Sequence, residues 1–401
     1  MAPHEHQDSE MAAELRSFGD LRKAVFLGRP NRFVVECLSE GRQERAYLPN
    51  PGRLQELLLP GATLYLARNP SSHEMKTRCT VVAVERDGVP VMLHTHHTNT
   101  VARWLIERSK IPGIEGYHVS GAEVPFGRSR FDFLLRKGSR EFILEVKSCT
   151  LFGRTIAMFP DAITERGRRH IRELAELSRG GKKCGVLFVV HWPKARYFMP
   201  EHHTDLAFSR TLLDVRNEIM VRAVAVGWKG DLTLSGMVRE LLIPWDVIER
   251  EARDRGSYIL ILHLSGGRKI AVGGLGERTF PKGYYLYVGS AMKNLTQRIE
   301  RHKRRRKNLF WHIDYLREEA SFVAVLPVRS SERLECAIAD ALGNISDWTM
   351  AGFGSSDCDC ESHLFAMEKN PLLRPEFIKL LQHFRIDRLE ETFRSGLGET
   401  H

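Results

Sequence analysis

A chain of 401 residues, 42% hydrophobic and 27% charged, is long enough for two or three domains with real cores. Its net charge of +10 favours a polyanionic partner, because Lys and Arg that neutralise phosphates release condensed counterions. Seven cysteines, an odd number spread along the chain, argue against a disulfide framework. No apolar run reaches the roughly 18 residues of a membrane span, so a cytoplasmic protein without a membrane partner is expected.

After a polar leader (1–19), strand-like runs RFVVECL, RAYLP, ATLYLAR, TVVAVER and VPVMLHT alternate with turn signals such as Pro49-Asn50-Pro51-Gly52. They predict a small β-barrel over 20–97. The apolar spacing of Val101, Trp104, Leu105 and Ile106 predicts a helix that opens a second, αβ unit over 98–247. In that unit FDFLLRK and EFILEVKSC read as strands, 162–178 as a helix whose start lies near Asp161, and CGVLFVVHW as a buried central strand. Residues 246–255 are charged enough for a solvated helix or linker, placed at 248–255 between domains. A third unit follows over 256–390, with SYILILHL and GYYLYVGS as partner strands, and a tail over 391–401.

Two constellations carry chemistry. Residues i and i+2 share a strand face, so Glu145 and Lys147 point together, and a hairpin brings Asp132 to the same face. Paired carboxylates form an oxygen-rich site for Mg²⁺ or Mn²⁺, and a neighbouring ammonium orients water or steadies phosphate charge. The bland reading is a wet strand face, which the apolar Phe142, Ile143, Leu144 and Val146 oppose. Arg166 and His170, at i and i+4 of the following helix, suit a phosphate or an outer-shell contact, or else a plain solvated face. Asn50 and Arg53 are divided between tight-turn chemistry and phosphate binding, while Arg128 and Arg130 flank the first strand as nucleic-acid contacts.

The runs NRFVVECL, NPGRLQELLLPG, SRFDFLL, FILEVKSCTL and FPDAITERGRRHIREL resemble, in order and spacing, the sugar fermentation stimulation protein A family over about 20–247. That resemblance implies an OB-like nucleic-acid-binding barrel before a PD-(D/E)XK restriction-endonuclease-like αβ domain. Asp132, Glu145 and Lys147 would be its acids and lysine, and Glu123 a further acid. The later text GSYILIL, GYYLYVGSAMKNLTQRIERH, FWHIDYL, ERLECAIA and GFGSSDCDCESHLF resembles a GIY-YIG-related endonuclease family of α+β fold. There Tyr258 and Tyr287 would be the phenols, Arg298 the phosphate ligand, His302 a proton acceptor and Glu335 the metal ligand. Serine and valine replace the isoleucines of the two name-giving triplets, which favours binding over cleavage. The basic run containing Arg304 and Arg305 supports nucleic acid, or is a solvated helix end. Cys358 and Cys360, with His312 and His363, raise a zinc alternative that lacks a second Cys pair in sequence. The expectation is a DNA-binding, metal-dependent nuclease, with DNA favoured over RNA. A non-catalytic DNA-binding or regulatory protein of sugar metabolism, built on degenerate nuclease folds, is the alternative that the resemblance permits, and a structural adaptor the third reading.

Overall fold

The computed structural model describes residues 18–69 and 77–396; most of the leader and the last residues of the tail lie outside them. The chain divides into two compact units: residues up to Glu201 with Ala207–Trp245, and His202–Leu206 with the remainder from Asp246.

The first unit opens with β1 (Leu21–Asn31), β2 (Val34–Ser39), β3 (Arg42–Tyr47), β4 (Thr63–Arg68), β5 (Cys79–Arg86) and β6 (Val89–Met92). Their order is β3-β2-β1-β4-β5-β6, and the Tyr47↔Thr80 pairing of β3 with β5 closes the barrel. Alternation along β2, where Val35 and Cys37 are buried, sets the inward face.

Helix α1 (His97–Glu107) leads into β7 (His118–Phe126), β8 (Ser129–Lys137) and β9 (Arg140–Cys149), then the short β10 (Leu151–Phe152) and β11 (Ile156–Phe159). Helix α2 (Glu165–Arg179), β12 (Cys184–Val190), β13 (Tyr197–Pro200), α3 (Leu206–Val215), β14 (Met220–Trp228) and β15 (Leu234–Glu240) follow. The main sheet runs β15-β14-β12-β9-β8-β7, with β9, β12 and β14 parallel. Both faces of β12 are covered, so all seven of its residues are buried, as its unbroken apolar text requires. Helix α1 packs against β7 and β9, and α2 against β12 and β8. Barrel residues such as Phe26, Leu48 and Leu54 belong to the same hydrophobic cluster as Phe131, Phe152 and Phe188.

In the second unit, α4 (Trp245–Glu251) precedes β16 (Gly256–Leu264), β17 (Arg268–Ala271), β18 (Glu277–Phe280) and β19 (Gly283–Ala291). Helices α5 (Leu295–Lys303) and α6 (His312–Glu319), β20 (Ser321–Arg329), α7 (Glu335–Gly343), β21 (Trp348–Thr349), β22 (Leu364–Met367), α8 (Pro375–Gln382) and α9 (Leu389–Gly396) complete it. The antiparallel sheet runs β20-β16-β19-β22-β21. The segment 246–255, read as a solvated helix or linker, supplies most of helix α4 with Asp246, Glu249 and Arg250 exposed, but it is not solvated throughout. Glu251 is buried, accepting from Ser331 Oγ (2.6 Å), Arg250 Nε (3.0 Å) and Arg388 Nη2 (3.1 Å), two of them from residues far along the chain.

Candidate functional site

The β8–β9 hairpin delivers the first constellation. Its ladder ends at Phe133↔Leu144, and one residue further the Asp132 carboxylate takes over as acceptor, its Oδ2 receiving the Val146 amide at 2.7 Å. The other oxygen accepts from Asn99 Nδ2 of α1 at 2.9 Å. Burial, with Glu145 nearby, pushes the Asp132 carboxyl up to about 6 despite these donors.

Glu145 is buried, and its Oε1 is shared between the Lys147 ammonium and His170 Nδ1, the latter at 2.6 Å. Burial opposes its ionisation, but His170 and Lys147 outweigh it and hold the carboxyl below its usual range. Arg166 Nε approaches His170 Nε2 at 3.4 Å, so Nε2 faces a donor while Nδ1 faces the Glu145 carboxylate. Glu145 Oε2 is buried and has no hydrogen-bond partner among the described residues. An ionised acid with one oxygen unanswered, beside a second acid whose charge is poorly compensated, suits a cation.

Asp132, Asn99 and Lys147 line an open cleft of about 510 Å³ together with Arg32, Asn50, Glu123 and Arg166, whereas the buried Glu145 and His170 do not line it and Glu145 is joined to it through Lys147. Glu123 faces Asp132 across the hairpin, between the Ala122↔Phe133 and Val124↔Phe131 pairs. Its φ of 50-odd degrees is a left-handed conformation rare outside glycine, which turns this exposed acid out of the regular pleat. The structure thus gathers Asp132, Lys147, Glu123 and Arg166 around one cleft, with Glu145 buried behind Lys147 and His170. Arg128 and Arg130 are exposed at the outer end of the β7–β8 hairpin and do not line it.

Asp161 is not the cap of α2; Thr164 is, accepting from the Gly167 amide at 3.0 Å. The barrel claims Asp161 instead: its Oδ2 accepts the Leu54 amide at 2.6 Å, and its carbonyl accepts from Arg53 Nε at 2.6 Å. A Cβ on Gly52 would sit 2.7 Å from that carboxylate, so the Asn-Pro-Gly-Arg turn needs its glycine for this approach. Asn50 binds inward as well, to Leu93 O (3.1 Å) and the Gly52 amide (2.9 Å).

The second unit gathers its expected set too. The Tyr258 hydroxyl and His302 Nε2 are hydrogen-bonded at 2.8 Å, and the Tyr287 ring lies 6.4 Å from that of Tyr258 and 6.3 Å from that of His302. Gly289 permits this, since a Cβ there would fall 2.4 Å from the Tyr258 hydroxyl. Burial raises both phenols well above their ordinary value and pushes His302 down to about 3, so phenols and imidazole are neutral near pH 7. Arg298 and Arg301 lie over the Trp311 ring, each 4.2 Å from its centroid. Arg301 and Lys307, from the basic run, are spent on the buried Asp314 at 2.8 and 2.7 Å, whereas Arg304 and Arg305 remain exposed. Glu335 accepts from Ser290 Oγ and faces His363 Nδ1 at 3.4 Å.

Sequence reasoning missed Asn99 and Cys336. Asn99 sits in ordinary helical text; Cys336 joins Cys358, Cys360 and His363 from a distant helix, while His312 stays outside that group and packs on Phe353 instead.

Comparison with known proteins agrees with this organisation. Residues 27–93 match the SfsA N-terminal OB domain, 96–231 the sugar fermentation stimulation protein RE domain, and 257–386 a domain of unknown function, DUF123. A sugar fermentation stimulation protein homolog of Methanothermobacter thermautotrophicus is 38% identical over 228 residues, 52% of this chain and 95% of that protein. Its counterpart in Moorella thermoacetica is 40% identical over 48% of this chain and 84% of its own length. The solved structure of Pyrococcus furiosus SfsA in complex with Ca²⁺ is 30% identical, with a TM-score of 0.52 over 56% of this chain and 96% of that one. No helix among the described residues is long and apolar enough to cross a membrane. An OB-like barrel, an αβ domain matching the family's RE domain and a third, appended domain thus follow one another, and the chain belongs to the sugar fermentation stimulation protein family.

Proposed function

We propose that this protein is a Mg²⁺- or Mn²⁺-dependent nuclease that hydrolyses phosphodiester bonds of DNA in the central cleft. The observation that carries the reading is the unpartnered buried Oε2 of Glu145 beside Asp132. Both acids, with Glu123 at the cleft wall, would hold the cation, and the Ca²⁺ complex of the Pyrococcus furiosus relative supports a divalent ion here. Such an ion supplies positive charge to a phosphoryl oxygen and acidifies a bound water. Asn99 and the Val146 amide fix Asp132, while His170, steadied by Arg166, fixes Glu145. Lys147 orients the attacking water and answers charge that grows on the phosphate. Arg32, Arg128, Arg130 and Arg166 steer the phosphate backbone, and the barrel face extends that contact.

In the appended unit, read as a GIY-YIG-related fold, Tyr258, Tyr287, Arg298, His302 and Glu335 form a second nucleic-acid element, with Arg304 and Arg305 at its rim. A DNA-binding protein that does not cut is the second reading, favoured by one observation: the acids of that unit are already neutralised by their neighbours.

The test is cleavage of labelled DNA and RNA with Mg²⁺ or Mn²⁺. Wild type should cut DNA, Glu145→Ala should lose about 10³-fold or more in rate, as expected when several kcal/mol of metal-borne stabilisation go, and Glu335→Ala should still cut. A wild type inert toward both substrates, with Asp132→Ala no different, refutes the enzyme. Salt-dependent DNA binding that persists in such an inert protein establishes the second reading.

A further inference from the structure

Four side chains with soft or borderline ligand atoms meet in the second unit. Cys336 is on the first turn of α7, and Cys358, Cys360 and His363 are on the loop between β21 and β22. One ligand atom from each lies within 4.8 Å of all the others. We propose that they form a zinc site of the Cys₃His type, separate from the carboxylate cleft and independent of the nuclease reading.

The geometry is close to what the ion demands. Tetrahedral zinc, with Zn–S about 2.3 Å and Zn–N about 2.0 Å, sets neighbouring ligand atoms roughly 3.5 Å apart; Cys358 Sγ and His363 Nε2 are 3.4 Å apart. His363 presents Nε2 to the thiols and turns Nδ1 to Glu335 Oε1 at 3.4 Å. Imidazoles that bind zinc commonly direct their other nitrogen to a carboxylate, which fixes the tautomer and raises the basicity of the ligating nitrogen. Glu335, fixed in turn by Ser290, is therefore a positioning residue for the zinc ligand.

Chemistry selects the metal. Three thiolates and an imidazole suit zinc, whereas Mg²⁺ and Ca²⁺ require oxygen ligands. Four protein ligands close the coordination shell, as in structural sites, so no position is left for catalysis. The ion would staple the loop to α7. That loop carries Phe353, fully buried, with its ring 6.4 Å from that of Tyr287. The metal would thereby hold one wall of the Tyr258–Tyr287–His302 cluster without touching any substrate.

The experiment uses the full chain, purified under reducing conditions without added metal. Elemental analysis should find one equivalent of zinc per chain, and cobalt exchange should give the intense thiolate-to-cobalt bands of a tetrahedral site. Cys358→Ser and Cys360→Ser should lose the zinc. Glu145→Ala should keep it, which distinguishes this site from the central cleft. Glu335→Gln should weaken zinc affinity by about 10- to 100-fold, the usual cost of an outer-shell change. Zinc that survives both serine substitutions, or a reduced wild type that takes up neither zinc nor tetrahedral cobalt, overturns the proposal. If the serine variants fail to fold by circular dichroism, the cobalt spectrum of wild type decides: thiolate bands support the site, and an oxygen-type octahedral spectrum refutes it.

Discussion

The carboxylates of the two units are treated in opposite ways. In the first unit burial dominates at Asp132, pushed up to about 6, and at Asp161, pushed up to about 7, while Glu145 is held below its usual range by His170 and Lys147 yet keeps one oxygen unanswered. In the second unit Glu251 is drawn down to about 2, with burial outweighed by Ser331, Arg388 and Arg250, and Asp314 is held lower still by Arg301 and Lys307. Acids already answered by resident cations have little need of an added one. A cation is therefore expected at the oxygens of the first unit, and at sulfur and imidazole in the second.

Three measurements break or sharpen this contrast. The largest effect belongs to Glu251→Ala, which takes the buried acceptor from Ser331 and Arg250 and leaves the half-buried Arg388 with Glu332 alone at 3.5 Å; the second unit should lose about 3 kcal/mol, the low end for a broken buried pair, in denaturant unfolding at pH 7. A loss below about 1 kcal/mol would mean the acid is not truly answered. Next, Mn²⁺ at about 100 times its dissociation constant should stabilise wild type by about 2.7 kcal/mol, a rise on the order of 5 °C in calorimetry. Asp132→Asn should show no such rise, and an equal rise in both proteins would remove Asp132 from the site.

The smallest effect is a matter of pH. The folded-state value of Asp161 lies above its unfolded 3.8, so its contribution is complete at low pH and lost as pH climbs from about 4 to about 7. Asp161→Asn keeps an acceptor for the Leu54 amide and sheds the charge. It should therefore be more stable than wild type above pH 7 by on the order of 1–2 kcal/mol, less than the roughly 4 kcal/mol of the full shift because water and local relaxation relieve part of it. The advantage should vanish near pH 4. A difference independent of pH would show that Asp161 does not titrate in this range.

Much of this was legible in the sequence, for a physical reason. A strand has period two, so Glu145 and Lys147 had to share a face, and the apolar residues around them said that the face was scarcely wet. The barrel, the buried strand β12 and the partnership of β16 with β19 followed from the same alternation and continuity. What failed was whatever depends on a partner far along the chain. Asp161 reads locally as a helix cap, yet a barrel amide outbids the helix for it. Glu251 reads as a solvated charge because Ser331 and Arg388 are invisible from its neighbourhood. Cys336 carries no periodic signal, and only the fold brings it to Cys358 and Cys360.

The bond between Asp161 and Leu54 has an implication for how this family can be taken apart. Sequence families divide the first unit between residues 93 and 96, but the chain does not honour that seam: one apolar cluster runs through it, and a carboxyl on the far side answers a barrel amide. A fragment beginning at residue 96 would keep every presumed ligand and still present bare hydrocarbon and a stranded acid where the barrel had been. In this chain neither barrel nor cleft is a finished object alone.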